Sequence, residues 1–188
     1  MNIFDKRKQD ILGKKDKSFI GGWDKKIVGL CEKLNKSKNY YSTSSCSGRV
    51  VLMFDSNKKT YGLFLKLYHG VVGFDEFKGD LQKIVGKSKG KIINFKQEPC
   101  GLHVACKTLQ DAQSLVDRAR KIGWKKSGVI SSDRRFIVEM FGTGVLGFPI
   151  IKDEKILVDD VFLKEILKIS NENLKKSWDQ IEKLRKSI

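Results

Sequence analysis

Hydroxyl, thiol and guanidinium groups are concentrated in one short stretch of this chain. Residues 44–49, which we call the Ser-Arg segment, read Ser44-Ser45-Cys46-Ser47-Gly48-Arg49. Serine can hydrogen-bond to nearby backbone, glycine allows a positive φ, and arginine can hold a carboxylate or a phosphate through two parallel hydrogen bonds. Strand-like apolar stretches flank the segment at 40–43 and 50–54. The segment is therefore either a binding loop or a polar hairpin turn.

Two histidines, His69 and His103, are the only imidazoles in the chain, and they could exchange a proton near neutral pH. Each could equally be a structural histidine whose ring nitrogens are hydrogen-bonded. Cys46 could act as a nucleophile if one of these histidines activated it. The sequence does not show whether they meet, so a cysteine-dependent hydrolase or transferase remains one open class.

Several common cofactor sites are excluded by their surroundings. The stretch 142–147 reads Gly-Thr-Gly-Val-Leu-Gly and formally matches the dinucleotide fingerprint, which needs a helix directly after it. The next residues, Phe148-Pro149-Ile150-Ile151, predict a strand instead. No Gly-Lys-Ser/Thr sequence closes a P-loop of the right length, and two histidines with four scattered cysteines do not predict a zinc site. We therefore expect neither a Rossmann fold nor a metal site.

The chain carries a formal charge of +16, and most of the excess lies in its middle. Residues 36–151 hold 20 basic and 9 acidic side chains, a net charge of +11. A large positive charge favours a polyanionic partner. We favour nucleic acid over a membrane surface, because the sequence has no strongly basic amphipathic helix suited to lipid. A non-catalytic RNA-binding module would share these features and remains an alternative to an enzyme.

Length and cysteine usage limit the class of protein further. A chain of 188 residues with 40% hydrophobic residues can bury one sizeable core, and nothing in it reads as a linker. We therefore expect a single domain over residues 1–188. The cysteines form no Cys-x-x-Cys pair, the amino terminus is charged, and no apolar run approaches the roughly 20 residues of a membrane span. We expect a cytoplasmic protein with reduced thiols and no membrane partner.

The hydrophobic patterns predict an α+β fold with largely antiparallel sheets, flanking helices and a long C-terminal helix. Helices are predicted at 3–14, 23–35, 75–85, 109–122 and 159–186, with Asp24 as a candidate cap of the second. Strands are predicted at 40–45, 49–55, 60–67, 91–96, 101–107, 124–131, 134–141, 145–151 and 154–158.

A second serine-rich turn is similar in sequence to the Ser-Arg segment. Residues 130–136 read Ile-Ser-Ser-Asp-Arg-Arg-Phe and also join two predicted strands. The similarity could come from duplication of two halves, about 16–98 and 99–188. It could also be chance, because serine-rich turns between strands are common.

The Ser-Arg segment and several further blocks together resemble the tRNA wybutosine-synthesis N4-methyltransferase family. The further blocks are Asp16-Lys17-Ser18, Gly21, Asp24, Leu34-Asn35, Glu98-Pro99, Leu102-His103-Val104, Leu109-Gln110-Asp111-Ala112-Gln113 and Ser127-Gly128. The resemblance covers the chain almost from end to end. It implies a fold other than the Rossmann methyltransferase fold, in agreement with the rejected dinucleotide fingerprint.

The resemblance implies an enzyme that transfers a methyl group from S-adenosylmethionine to the N4 ring nitrogen of an aminocarboxypropyl-demethylwyosine base. This base lies 3′ of the anticodon in tRNA-Phe, so the expected partner is the tRNA-Phe anticodon loop. We expect a monomer that uses no metal ion.

The resemblance and the residue types together imply roles for the site residues. A base must accept the proton of the acceptor nitrogen, and the candidates are His103, His69 and Asp16, in that order. Arg49 is expected to bind a carboxylate or a phosphate. Cys46 is expected to pack rather than to attack, because direct methyl transfer needs no covalent enzyme intermediate. The binding candidates around Arg49 are Ser44, Ser45, Cys46, Gly48, Ser18 and Ser127.

Overall fold

The computed structural model describes residues 2–14, 24–56 and 62–188. Within these ranges the elements are, in chain order, α1 (Ile3–Leu12), α2 (Val28–Lys36), β1 (Tyr40–Cys46), β2 (Arg49–Phe54), β3 (Phe64–Tyr68), α3 (Phe74–Ile84), a 3-10 helix (Val85–Ser88), β4 (Ile92–Glu98), β5 (Gly101–Cys106), α4 (Leu109–Lys121), β6 (Lys126–Ser131), β7 (Phe136–Phe141), β8 (Leu146–Lys152), β9 (Lys155–Ile156) and α5 (Asp160–Ser187). None of the described helices is both long and apolar enough to cross a membrane.

The strands form two antiparallel sheets, and the predicted α+β class is confirmed. The four-stranded sheet has the order β1-β5-β7-β6, and the five-stranded sheet has the order β3-β2-β4-β8-β9. Because β1 and β2 belong to different sheets, the Ser-Arg segment is not a hairpin turn, and that interpretation was wrong. The second serine-rich turn does join neighbouring strands, β6 and β7. The two turns therefore differ in topology.

The chain divides into two compact units, each made of separate stretches. The first unit contains Met1–Ser47, Cys100–Thr143 and Ser177–Ile188, and the second contains Gly48–Pro99 and Gly144–Lys176. The single domain and the duplicated halves expected from the sequence stay predictions.

In the first unit, α2, α4 and the end of α5 cover one face of the four-stranded sheet, and α1 packs on the other face. Leu102 and Val104 of β5 point into the core with α2, α4 and the end of α5. On the other face, Tyr41, Ala105 and Ile137 form a small cluster that α1 covers with apolar side chains such as Phe4. Since side chains alternate along a strand, His103 lies on this second face.

In the second unit, a row of aromatic rings packs the five-stranded sheet. Neighbouring ring centroids are 5.0–5.8 Å apart. The rings, in order, belong to Tyr68, Phe77, Phe95, Phe148 and Phe162. They join β3, α3, β4, β8 and α5, so this unit has its own core.

The glycine-rich stretch 142–147 runs directly into strand β8 rather than into a helix. The rejection of a dinucleotide fingerprint is therefore confirmed. Gly144 instead leaves room for the Asn173 side chain within the second unit, because a Cβ there would lie 2.9 Å from the amide carbon of Asn173 in its present position.

Candidate functional site

Ser44, His103 and Glu139 lie side by side across three neighbouring strands of the first unit. Ser44 pairs with His103 between β1 and β5, and His103 pairs with Glu139 between β5 and β7. Directly paired residues carry their side chains on the same face of a sheet. His103 Nε2 is 2.9 Å from Glu139 Oε1, and the two side chains are 30% and 37% exposed. This pair can hold a proton at a position that a substrate can reach.

A β-bulge sets the register that brings Ser44 beside His103. The pairing of β1 with β5 shifts between Ser42 and Ser44, which leaves Thr43 as the extra residue. The Thr43 hydroxyl donates to the backbone carbonyl of His103 at 3.4 Å. Such bulges re-aim side chains and are common beside active sites.

Phe141 covers the next position of the same face. Its ring lies edge-on to the His103 ring, with centroids 6.0 Å apart. The ring also lies over its strand partner Gly101, where a Cβ would come within 2.3 Å of Phe141 Cε1. Gly101 is therefore needed for this position of Phe141. The sequence analysis did not identify either residue as part of the site.

Ser44 and Ser45 have different surroundings because adjacent residues of a strand point to opposite faces. Ser44 is exposed beside His103. Ser45 pairs with the buried Leu102, and its side chain lies near the thiol of Cys31. Only Ser44 thus lies beside the candidate base, and the binding role of Ser45 stays a prediction.

Asp24 anchors the end of β1. Its Oδ2 accepts hydrogen bonds from the backbone N–H of Ser47, at 3.2 Å, and from the Ser47 hydroxyl. The expected helix cap is wrong: α2 begins at Val28, and no side chain caps it. In the turn before α2, Asp24 Oδ1 accepts from the Lys26 N–H at 3.3 Å, and the Asp24 carbonyl accepts from the Val28 N–H at 3.1 Å. Asp24 is therefore a candidate for positioning the Ser-Arg segment, whereas the sequence analysis predicted only that it caps a helix.

Cys46 differs from the other cysteines in exposure. Cys31, Cys100 and Cys106 are buried, whereas Cys46 is half-buried and pairs with Gly101. Burial raises the pKa of Cys31, and it raises the pKa of both Cys100 and Cys106 to about 12. These three thiols are therefore protonated packing groups at neutral pH.

Arg49 begins β2 in the second unit, where an acid and an aromatic ring hold it. Its Nε donates to Glu98 Oε2 at 2.6 Å, and the two residues are strand partners. The guanidinium carbon lies 5.2 Å from the ring centroid of Phe64. The Arg49 and Glu98 side chains are 26% and 40% exposed, so the pair lies at the surface. The contact with Glu98 uses Nε, and a second anion would bind along the edge formed by Nη1 and Nη2.

Gly48 and His69 also belong to the second unit. Gly48 has a φ of 101°, in the left-handed region where any residue with a side chain is strained. It lets the backbone turn between Ser47 and Arg49. His69 directly follows β3 and is half-buried. The structure thus places the two histidines in different units, His103 in the first and His69 in the second.

Ser127 lies in the interior of the first unit. Its hydroxyl donates to the carbonyl of Trp124 at 2.6 Å, and its own carbonyl accepts two hydrogen bonds from Arg120. These contacts fit a structural role, and a binding role stays a prediction. The candidates Asp16 and Ser18 lie outside the described residues.

Comparison with known proteins identifies the family. The family model described as Methyltransferase TYW3 matches residues 6–188. A protein from Methanocaldococcus jannaschii named tRNA(Phe) 7-((3-amino-3-carboxypropyl)-4-demethylwyosine(37)-N(4))-methyltransferase is 37% identical over 158 residues, which cover 82% of this chain and 80% of that protein. A tRNA wybutosine-synthesizing protein 3 homolog from Mus musculus is 30% identical over 184 residues, which cover 95% of this chain and 70% of that protein.

The solved structures agree with the sequence comparison. The structure of the PH1069 protein from Pyrococcus horikoshii matches with a TM-score of 0.81 at 25% identity, and the match covers 98% of this chain and 95% of that one. The resemblance carried by the Ser-Arg segment and its companion blocks is therefore confirmed. The chain belongs to the methyltransferase TYW3 family.

Proposed function

We propose that this chain methylates the N4 ring nitrogen of the aminocarboxypropyl-demethylwyosine base at position 37 of tRNA(Phe), with S-adenosylmethionine as the methyl donor. The observation that carries the proposal is the family match over residues 6–188, since a relative in this family is named for that reaction. The accessible His103–Glu139 pair supplies the proton acceptor that N-methylation needs. The formal charge of +16 suits a tRNA substrate.

The chemistry of the Ser-Arg segment fits such a donor. When bound, S-adenosylmethionine supplies an electrophilic methyl group on a sulfonium. Its carboxylate, ammonium and ribose hydroxyls need hydrogen-bonding partners of both kinds. The part of the segment in the second unit offers the guanidinium of Arg49 and a backbone that can approach closely at Gly48.

His103 is the residue that we assign as the base. In its neutral form, Nε2–H donates to Glu139 Oε1, which leaves the lone pair on Nδ1. The bound donor would supply the methyl group, and N4 would have to lose its proton on accepting it. The N4 proton passes to His103 Nδ1. Glu139 then stabilises the imidazolium, so it is a positioning residue.

Arg49 is assigned to bind a carboxylate. Both the donor and the aminocarboxypropyl side chain of the base carry one, and a guanidinium holds either through two parallel hydrogen bonds. Glu98 and Phe64 fix the orientation of the guanidinium, which lowers the conformational entropy lost on binding.

The finer parts of the proposal concern assembly and location. We assign the anticodon loop as the part of the tRNA on which the chain acts, because position 37 lies directly 3′ of the anticodon. We also assign the chain as a cytoplasmic monomer. Sedimentation with and without tRNA checks the monomer, since a dimer would double the mass of the free protein.

The test of the proposed function is a methylation assay on natural tRNA. The protein is incubated with S-adenosylmethionine carrying a labelled methyl group and with tRNA from a strain that lacks this protein. The anticodon-loop nucleosides are then analysed by mass spectrometry. A gain of one methyl on the tricyclic base at position 37 is expected. Methylation of another nucleoside, or none at all, would contradict the assignment.

A further inference from the structure

We propose that Arg7, Arg134 and Arg135 form a phosphate-binding surface on the first unit, and that it holds the sugar–phosphate backbone of the tRNA substrate. We call these three residues the arginine cluster. The inference rests on the proposed function for the identity of the RNA. It adds the surface by which the RNA is held and oriented toward His103.

The fold brings the three arginines together from distant parts of the sequence. Arg7 Nη1 donates to the backbone carbonyl of Arg134 at 2.9 Å, which ties α1 to the turn between β6 and β7. Burial raises the pKa of the Tyr41 phenol, and the positive charges of Arg135 and Arg7 act in the opposite direction. Both guanidinium groups therefore lie near the same ring.

The charges of the cluster are available to a partner. Arg134 and Arg135 are exposed, and Arg7 is half-buried. Within ranges 2–14, 24–56 and 62–188, no carboxylate lies within ion-pair distance of any of these three side chains. Like charges held close together without counter-charges repel one another, and a bound phosphate would relieve that repulsion.

The residue type points to phosphate in particular. Most of the 38 basic residues are lysines, and arginine occurs at only seven positions, three of which are in this cluster. Arginine binds phosphate through two parallel hydrogen bonds, whereas lysine acts as a point charge. The adjacent Ser131 and Ser132 hydroxyls can donate to further phosphate oxygens.

The cluster is placed so that a bound RNA reaches His103. Arg135 directly precedes β7, and Glu139 lies four residues further along that strand, a distance of about 13 Å. Tyr41, Ala105 and Ile137 form the row of the same sheet face that lies beside His103 and Glu139. A stem-loop held by its backbone at the arginine cluster could therefore present a base to His103.

Equilibrium binding of tRNA(Phe) to the full chain tests the inference. The variant is Arg134→Gln with Arg135→Gln, and both changes are on exposed side chains. The affinity for tRNA is expected to fall by roughly tenfold or more. The slope of log K against log salt concentration should fall by about 0.7–0.9 for each phosphate that the variant no longer neutralises. The affinity for S-adenosylmethionine should not change.

Two further variants make the test specific. Lys78→Gln with Lys183→Gln removes the same number of charges, but each of these lysines already faces a carboxylate, Asp160 or Asp179. This control should bind tRNA like the wild type. Asp133→Asn removes the one acid of the turn and should tighten binding.

The inference is overturned if the double arginine variant keeps the wild-type affinity and salt slope, or if the lysine control loses as much. Binding is measured without chemistry, so the outcome is separate from that of the proposed function. A wild type that binds tRNA through the cluster but transfers no methyl group would refute the function and leave this surface standing. A wild type that methylates tRNA, with arginine variants that bind equally well, would refute the surface alone.

Discussion

His103 and Glu139 face each other on adjacent strands, with His103 Nε2 2.9 Å from Glu139 Oε1. If His103 is the base, His103→Ala should lower kcat by roughly 10²- to 10⁴-fold, because general-base catalysis contributes about that much. Glu139→Gln should cause a smaller loss in kcat and leave the affinity for the donor unchanged. Initial-rate kinetics with saturating tRNA check both changes.

Two controls separate catalysis from folding at this pair. Glu32→Gln removes an exposed acid elsewhere in the first unit and should keep the wild-type kcat. Added imidazole should partly restore His103→Ala if the ring serves as a proton acceptor. Full activity in His103→Ala would remove this residue from the mechanism.

Arg49→Ala should lower the affinity either for S-adenosylmethionine or for the tRNA substrate, whichever supplies the carboxylate that Arg49 binds. The expected loss is roughly 10- to 100-fold, the range of a charge-assisted hydrogen bond. Arg49→Lys should recover only part of the loss, because lysine lacks the planar fork. Calorimetry with S-adenosylmethionine and the KM for tRNA show which carboxylate is bound. Glu98→Gln is the milder matched change, since it leaves the guanidinium in place. If Arg49→Ala leaves both the Kd for S-adenosylmethionine and the KM for tRNA unchanged, Arg49 has only a structural role as the ion-pair partner of Glu98.

Cys46 should be the thiol that reacts in the folded protein, because the other three cysteines are buried. Iodoacetamide at pH 8 is expected to label Cys46 first, while burial keeps Cys100 and Cys106 protonated and shielded. Peptide mass spectrometry before and after denaturation measures this. Cys46→Ala should retain more activity than Arg49→Ala, whereas complete loss of activity would favour a covalent mechanism.

Asp24→Ala should destabilise the protein by about 1–3 kcal/mol, because it leaves the buried N–H and hydroxyl of Ser47 without their acceptor. Ser47→Ala should cost less, since the backbone N–H keeps its bond to Asp24. Urea unfolding followed by tryptophan fluorescence measures both changes. Equal stability of Asp24→Ala and the wild type would show that this contact does not anchor β1.

Asp80 gives the second unit a defined response to acid. The hydrogen bond from Lys66, followed by that from Tyr68, holds the pKa of Asp80 below its ordinary value of 3.8. Because the folded-state pKa is lowered, the stabilisation is fully present above the ordinary pKa of 3.8, and it is lost as the pH falls through the lowered pKa. The stability lost in Asp80→Asn should therefore be constant from pH 7 to about 5 and shrink toward pH 3. Urea unfolding across this range checks it, and a loss that does not depend on pH would contradict it.

Local signals account for what the sequence predicted well. The helix predicted at 109–122 is observed at Leu109–Lys121, because Thr108 and Asp111 form a capping box at its start and Gly123 follows its end. The strands of the four-stranded sheet were likewise predicted within a few residues, since they are short stretches with β-branched and aromatic residues.

Long-range pairing accounts for what the sequence could not predict. Ser44 and His103 are 59 residues apart, and nothing local in either strand specifies that β1 pairs with β5 rather than with β2. Glu139 was therefore not recognised as the partner of His103, although it lies in the strand predicted at 134–141 and observed at Phe136–Phe141. The bulge at Thr43 changes the register by one residue and leaves no mark in the hydrophobic pattern.

The division of the first unit into three stretches has a consequence for biosynthesis. Trp124 Nε1 donates to the carbonyl of Gln180, and the backbone N–H of Cys100 donates to the hydroxyl of Ser177. A ribosome synthesises these acceptors after all the strands of the four-stranded sheet. The four-stranded sheet therefore stays without one of its covering helices until residues 177–188 have emerged from the exit tunnel, and a nascent chain stalled before them should be open to proteases and bound by chaperones.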